Sequence, residues 1–275
     1  MVLRLGKEVL MKYVVVTGAS GGMGRKTVEL LANSGFFVFA LDKKECERRE
    51  NVVWIETDVT DEKCVATAAE KVLNVTGELF AVIHFAGVYA LDSFIEIGTE
   101  ELERIFRINL FGAMLVNKSF AKFLKSGSRI VITTSELAPL NPLPFTGIYA
   151  VTKAALDKYA FSLAMEMQLL GVSVSVLRAG AVKTALLGAS TVALDKFCDK
   201  TELYTCNAAR FKRIVDKVEA RCVPPEKIAA KTLKILKKKH PKFAYSINRN
   251  PLLLMLNVLP RGLQLKIIKR VLKTK

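Results

Sequence analysis

Tyr149 and Lys153 stand four residues apart in Tyr149-Ala150-Val151-Thr152-Lys153, at the start of a long helical pattern. Two side chains at that spacing share one helix face. A phenol titrates near ~10 and keeps its proton at neutral pH, whereas an ammonium beside it favours the phenolate and makes the tyrosine a usable acid/base. The lysine keeps further donors with which to grip a ribose. The pair gains weight from Thr17-Gly18-Ala19-Ser20-Gly21-Gly22-Met23-Gly24, which follows an apolar β run and opens a helix. In that context glycines let the backbone turn sharply and approach a pyrophosphate, and the helix N-terminus presents amide donors to it. Gly18, Ser20, Gly22, Met23 and Gly24 are the candidate contacts. Asp42 ends the second β run, 18 residues beyond Gly24. A carboxylate there accepts from the ribose hydroxyls of NAD and repels a 2′-phosphate. Lys43 and Lys44 follow at once and could neutralise such a phosphate, so NAD is the expected cofactor and NADP stays open.

The elements that must hold these residues alternate along the chain. β-rich runs at Tyr13 to Thr17, Phe36 to Leu41, Val52 to Ile55, Phe80 to His84, Arg129 to Thr133 and Val172 to Leu177 are separated by helical stretches at Arg25 to Ser34, Asp61 to Asn74, Glu100 to Lys125 and Ala150 to Leu170. This pattern predicts an α/β fold, a Rossmann-type doubly wound parallel sheet with helices on both faces, in a single domain over residues 1–275. Residues 12–184 form the expected cofactor-binding and catalytic core. Residues 185–275, where the regularity fades, form the expected substrate-shaping and basic C-terminal region. Near its end Leu263, Ile267, Ile268 and Leu272 make an apolar helical stripe among lysines and arginines. Such a stripe either packs on the protein or lies on an anionic membrane.

Composition narrows the classes. Of the 275 residues 51% are hydrophobic and 25% charged, which excludes disorder and supplies a core. The net charge of +16 is local: from Lys200 onward there are 20 Lys and Arg against 4 Asp and Glu, while the first 199 residues carry 22 of each sign. A basic end of this kind can meet a membrane surface or an anionic substrate, or be a solvated face. Nucleic acid is not an expected partner, because no aromatic-rich basic strand face and no recognition-helix pattern accompanies the charge. Five cysteines and two histidines show neither CxxC pairs nor ligand spacing, so no metal site and no disulfide framework is expected, and reduced thiols fit a cytosol. Met1 to Lys12 lacks the form of a signal peptide, and the apolar run from Leu252 to Pro260 is too short to span a bilayer. The expected location is the cytoplasm, with the basic end as the point of any peripheral membrane contact. His84, alone at the end of a strand, reads as a hydrogen-bonded core residue.

The glycine turn, an Asn in a mid-chain helix, a Ser at the end of the fifth strand and the Tyr-x3-Lys pair come in order over about Tyr13 to Thr184. Together they resemble the classical short-chain dehydrogenase/reductase family. The resemblance implies a tetrad of Asn109, Ser135, Tyr149 and Lys153. Ser135 would steady the developing alkoxide, Tyr149 carry the proton, Lys153 lower the tyrosine pKa while holding the ribose, and Asn109 hold a water linking Lys153 to solvent. It further implies Asp58 and Val59 beside the adenine, Ala86 and Gly87 beside the adenosine ribose, Gly180, Val182 and Thr184 near the carboxamide, and a homodimer or homotetramer built on the long helices. The C-terminal region is similar to the 17β-hydroxysteroid and retinol dehydrogenase branch, which implies a hydrophobic alcohol or ketone as substrate. A 3-oxoacyl thioester reductase and a non-catalytic nucleotide sensor or scaffold are the alternatives. Three departures stand out: His84-Phe85-Ala86-Gly87 replaces the usual Asn-Asn-Ala-Gly, Ala179-Gly180 replaces Pro-Gly, and Ser135 lies 14 residues before Tyr149, across a loop holding Pro139, Pro142 and Pro144.

Overall fold

Runs such as Val14-Val15-Val16, fully shielded from solvent on both faces, are what a parallel sheet covered on both sides demands. A computed structural model describes residues 11–219 and 221–273. Its strands are β1 (Lys12–Thr17), β2 (Phe36–Asp42), β3 (Val52–Glu56), β4 (Leu79–His84), β5 (Leu124–Ser135), β6 (Ser173–Ala179) and β7 (Ala244–Ile247). They form one sheet in the order β3-β2-β1-β4-β5-β6-β7, every pair parallel. The order reverses between β1 and β4, which opens a crevice at the C-terminal strand ends, the place where open α/β sheets bind ligands.

The helices are α1 (Gly22–Asn33), α2 (Glu62–Leu73), α3 (Thr99–Phe106), α4 (Gly112–Phe120), α5 (Gly147–Met167), α6 (Ala185–Lys200), α7 (Thr205–Glu219), α8 (Pro225–Lys237), α9 (Pro251–Val258) and α10 (Arg261–Leu272). Val65, Val116, Phe120 and Leu156 of α2, α4 and α5 bury one sheet face. Val28 and Leu31 of α1, with Ile235 and Leu236 of α8, bury the other. Local chemistry sets several starts: Asp61 caps α2 by accepting from the amides of Lys63 and Cys64, and α8 and α9 each open on a proline, which has no amide to leave unpaired there.

Two expectations are corrected. The helix expected over Glu100 to Lys125 is broken: a π-helical turn at Arg107–Phe111 separates α3 from α4, and a 3-10 turn at Ala121–Phe123 leads into β5, whose first residue Leu124 pairs with Leu79. Six strands become seven because Ala244–Ile247, half-buried throughout, pairs with Val176–Ala179 at the sheet edge. Its four residues are buried to a similar degree, so no period-2 alternation announces it.

Above the C-terminal strand ends, the chain after β6 forms a roof. Phe145, in the left-handed region at φ 64°, places its ring among Phe197, Tyr204 and Phe211 with centroids 4.6–5.4 Å away. A bulky residue held there costs about 1–3 kcal/mol. The aromatic cluster offsets that cost and locks the loop before α5 to α6 and α7.

Candidate active site

The crevice is built first by missing side chains. A Cβ on Gly18, which sits at φ +63°, would lie 2.5 Å from the Ala86 amide nitrogen; one on Gly24 would lie 2.0 Å from the Gly18 oxygen, and one on Gly22 2.6 Å from Thr184 Cγ2. The turn therefore packs directly on the end of β4 and against Thr184. No side chain caps α1, so its first amides remain available to an anion. Ser20 and Lys44 donate backbone amides to Asp42 Oδ2 and Oδ1, each at 3.0 Å, which fixes that carboxylate beside the turn. Met23 flanks the crevice from the first turn of α1. These features fit a dinucleotide: a glycine cradle, free helix-end donors, and a carboxylate placed one strand away.

Lys43 is turned away from that spot. Its Nζ lies 2.8 Å from Asp58 Oδ2, and Thr60 donates to Asp58 Oδ1 at 2.7 Å. Burial opposes ionisation of Asp58, but the hydrogen bonds from Lys43 and Thr60 outweigh it and hold the carboxyl at about 2. Val59, next to it, packs where a side chain on Gly112 would have stood, 2.8 Å from such a Cβ.

The four residues of the implied tetrad meet at the ends of β4, β5 and α5. Asn109 lies in the π-helical turn, 1% exposed. Its Oδ1 accepts from the Val88 amide at 2.8 Å, and its Nδ2 donates to the Val88 carbonyl at 2.9 Å and to Thr152 Oγ1 at 3.1 Å. The side chain is thus spent on backbone and on α5. Lys153 is buried, donates to the Thr133 carbonyl at 3.3 Å, and with Asn109 Oδ1 flanks Gly87, whose missing Cβ would lie 3.3 and 3.2 Å from the two. Burial lowers the Lys153 ammonium to about 8. Tyr149 is 9% exposed; burial pushes its phenol up to about 12, opposed by a hydrogen bond with Ser135. The Lys153 ammonium sits 5.8 Å from the Tyr149 ring centroid.

Three partners escaped the sequence reading. Asp157 continues the four-residue spacing of Tyr149 and Lys153, and the same period could have found it. It receives Arg178 Nη2 at 2.7 Å and Nε at 3.0 Å and Thr134 Oγ1 at 3.2 Å, pinning α5 to β5 and β6. Tyr89 packs its ring against that of Tyr149, with centroids 4.8 Å apart and the planes tilted by 49°. Glu136, next to Ser135, accepts from the Asn250 amide at 2.6 Å, and burial raises its pKa against the pull of that amide and of Arg249. His84 is buried, its Nε2 donating to Asn117 Oδ1 at 2.9 Å while Asn117 Nδ2 donates to Tyr159 Oη at 3.1 Å. Burial drops the imidazole to about 4, so it is a neutral strut where the resembling family has asparagine. Ala179 pairs with Ser135 and Ile247, and Gly180 has room only for hydrogen, since a Cβ would lie 2.0 Å from the Asn248 oxygen.

Ser135 and Tyr149 open into a cavity of about 540 Å³, bounded on the crevice side by Gly180, Val182 and Thr184 and roofed by Leu252 and Leu256 of α9 and Ile268 and Leu272 of α10. The stripe expected on the last helix is thus divided: Leu272 and Ile268 face inward, whereas Leu263 is exposed. A shallower hollow of about 530 Å³ near Phe106 and Phe111 lies away from these groups.

The family model of the short chain dehydrogenases matches residues 12–193. The chain is 26% identical over 234 residues to the 3-ketodihydrosphingosine reductase of Bacteroides thetaiotaomicron, covering 84% of this chain and 86% of that protein. It is 32% identical over 195 residues to estradiol 17-beta-dehydrogenase 2 of Mus musculus, covering 66% of this chain and 51% of that one. A solved short chain dehydrogenase from Burkholderia cenocepacia J2315, in complex with NADP, shares the fold with a TM-score of 0.72 at 19% identity, over 96% of this chain and 98% of that one.

Proposed function

The chain belongs to the short chain dehydrogenase family of NAD(P)-dependent oxidoreductases, and we propose that it interconverts a ketone and a secondary alcohol on a long apolar substrate, with NAD preferred. What carries this reading is the position of Ser135 and Tyr149 at the floor of a cavity whose roof is almost wholly aliphatic. Support for a lipid-like substrate comes from a relative named for a long-chain ketone and another named for a steroid.

When bound, the nicotinamide supplies hydride in reduction and accepts it in oxidation. The uncapped start of α1, with Gly18, Ser20, Gly22, Met23 and Gly24, would hold the pyrophosphate. Asp42 would take the adenosine ribose hydroxyls, Asp58 and Val59 would border the adenine, Ala86 and Gly87 the adenosine ribose, and Gly180, Val182 and Thr184 the nicotinamide. The pairing of Lys43 with Asp58 supports NAD, since it draws one of the two lysines that follow Asp42 away from the place of a 2′-phosphate, although Lys44 stays beside Asp42. In reduction Tyr149 Oη passes its proton to the substrate oxygen while Ser135 Oγ donates a hydrogen bond to it. With its phenol held at about 12, Tyr149 enters each turn protonated, the form that reduction consumes. Lys153 then stands ready to stabilise the phenolate, and Asn109, by clasping Val88 and Thr152, keeps the start of α5 in register with β4.

No described helix is long and apolar enough to cross a membrane. A peripheral contact is nevertheless supported by α9, which has no buried residue and exposes Leu252, Met255 and Val258 at 63–84%. Arg249, Arg261, Lys266, Lys269 and Arg270 flank this apolar surface, the combination that binds anionic lipid. A cytoplasmic enzyme that rests α9 and α10 on a membrane would meet an apolar substrate at the roof of its own cavity. Exposed Phe161 and Met165 on α5 support self-association through the long helices.

The test is absorbance of reduced nicotinamide during incubation with NADH or NADPH and a panel of long-chain, steroid and short aliphatic ketones. Wild-type turnover of the long-chain ketones, falling roughly 10²- to 10⁴-fold in Tyr149→Phe, is expected. Equal turnover by the variant would overturn the role of Tyr149, and a preference for short ketones would overturn the substrate class.

A further inference from the structure

We infer that Glu136 is a cation-recognition site, and that the favoured substrate is a long-chain ketone bearing a primary ammonium beside the carbonyl. The inference rests on reading the cavity as the substrate site and adds to it the polar end of the substrate. Among the described residues lining the cavity, Glu136 is the one with a formal charge; the rest are aliphatic, aromatic or neutral polar. Placing a carboxylate in such a wall is costly unless a partner meets it.

The protein supplies only half of one. Oε2 accepts the Asn250 amide at 2.6 Å, and no described cation comes within ion-pair distance, since Glu136 is absent from the salt bridges that join other carboxylates. Arg249 is exposed and acts only through its field. Oε1, the oxygen that Asn250 does not use, lies 3.0 Å from where a Gly180 Cβ would stand, and Glu136 and Gly180 both line the cavity. Anchoring α9 to the strand end would need only a neutral acceptor, which glutamine also provides. The negative charge is surplus to that structural task.

Its placement suits an amphiphile. Glu136 directly follows Ser135, and their Cα atoms lie about 3.8 Å apart; the Glu136 amide bonds the Ala179 carbonyl while Ser135 Oγ accepts the Leu137 amide. A ligand whose oxygen reaches Ser135 and Tyr149 thus has a carboxylate beside its neighbouring carbon, and its hydrocarbon chain extends toward Leu252, Leu256 and Ile268. An ammonium on that neighbouring carbon completes the carboxylate with charge-assisted hydrogen bonds.

The experiment compares kcat/KM for 2-aminooctadecan-3-one, its N-acetyl derivative and octadecan-3-one, in wild type and in Glu136→Gln. The wild type is expected to prefer the free amine over both neutral ketones by about ten- to a hundredfold, the range of a hydrogen bond to a charged group. In Glu136→Gln that preference falls to near unity, while the unfolding midpoint stays with the wild type because Gln still accepts from Asn250. A wild type that takes the neutral ketones as readily as the amine overturns the inference, yet leaves the ketone-reductase reading standing. So does a Gln variant that keeps the preference, or loses activity equally on all three probes. Absence of turnover on every ketone overturns the ketone-reductase reading and this one with it.

Discussion

Replacing Lys153 with methionine is expected to make the protein inactive and more stable at once. The ammonium is 6% exposed and is lowered by burial from 10.5 to about 8, about 2.5 pH units at about 1.36 kcal/mol each, or ~3 kcal/mol of opposition to the charged native form. Methionine keeps the unbranched stem and sheds the charge. It also loses the donor to the Thr133 carbonyl, worth about 1 kcal/mol, so a net gain of roughly 2 kcal/mol is expected at pH 7. The pH dependence carries the sign. Between pH 8 and 10.5 the unfolded chain still binds the lysine proton that the native protein has released, so wild-type stability rises with pH across that window. The methionine variant lacks this rise, and its advantage shrinks to nothing or reverses by pH 10.5. Urea unfolding of both proteins without cofactor, at pH 7 and pH 10, reads the difference. A variant less stable than wild type at pH 7, or a gap that does not narrow with pH, would refute a desolvated ammonium at this site.

Three further outcomes follow from single contacts. Asp42→Ala removes the carboxylate that Ser20 and Lys44 hold beside the turn, and should weaken NADH binding about tenfold while relieving repulsion of NADPH; titration of intrinsic fluorescence with each cofactor measures it, and an unchanged NADH affinity removes Asp42 from the ribose. Asp157→Ala strands the Arg178 guanidinium, half-buried and deprived of its 2.7 Å partner, so a loss of about 3 kcal/mol in urea unfolding is expected; a loss under 1 kcal/mol would show that water serves Arg178 instead. The pair Leu252→Glu and Val258→Glu, both on exposed positions of α9, should abolish sedimentation with phosphatidylglycerol vesicles while neutral phosphatidylcholine vesicles bind neither protein; equal binding to both vesicle types would deny the role of the flanking basic residues.

The part of the site that was readable from sequence is the part each residue of which answers to its own neighbours. Gly24 sits where a Cβ would collide with the Gly18 oxygen, a collision within one turn that leaves its mark in residue type, and Gly18 and Gly22, whose Cβ atoms would meet Ala86 and Thr184, were legible from the same strand–turn–helix pattern. Tyr149 and Lys153 share a face because α5 has a helix period, and Asp157 was legible by the same rule one turn further. Asn109 is different: a helix pattern from Glu100 to Lys125 is locally consistent, and only its clasp on Val88 and Thr152 accompanies the wider π-helical turn that interrupts it. β7 could not be read because four half-buried residues with no alternation become a strand only through β6. The cavity wall is still less local, since Glu136 meets Asn250 across 114 residues and Phe145 meets Phe197 and Phe211 only after the roof has closed. Reaction type is therefore written in short segments, where spacing along the chain is distance in space. Substrate choice is written in contacts between β5, α9 and α10, which exist only once the sheet has brought their ends together.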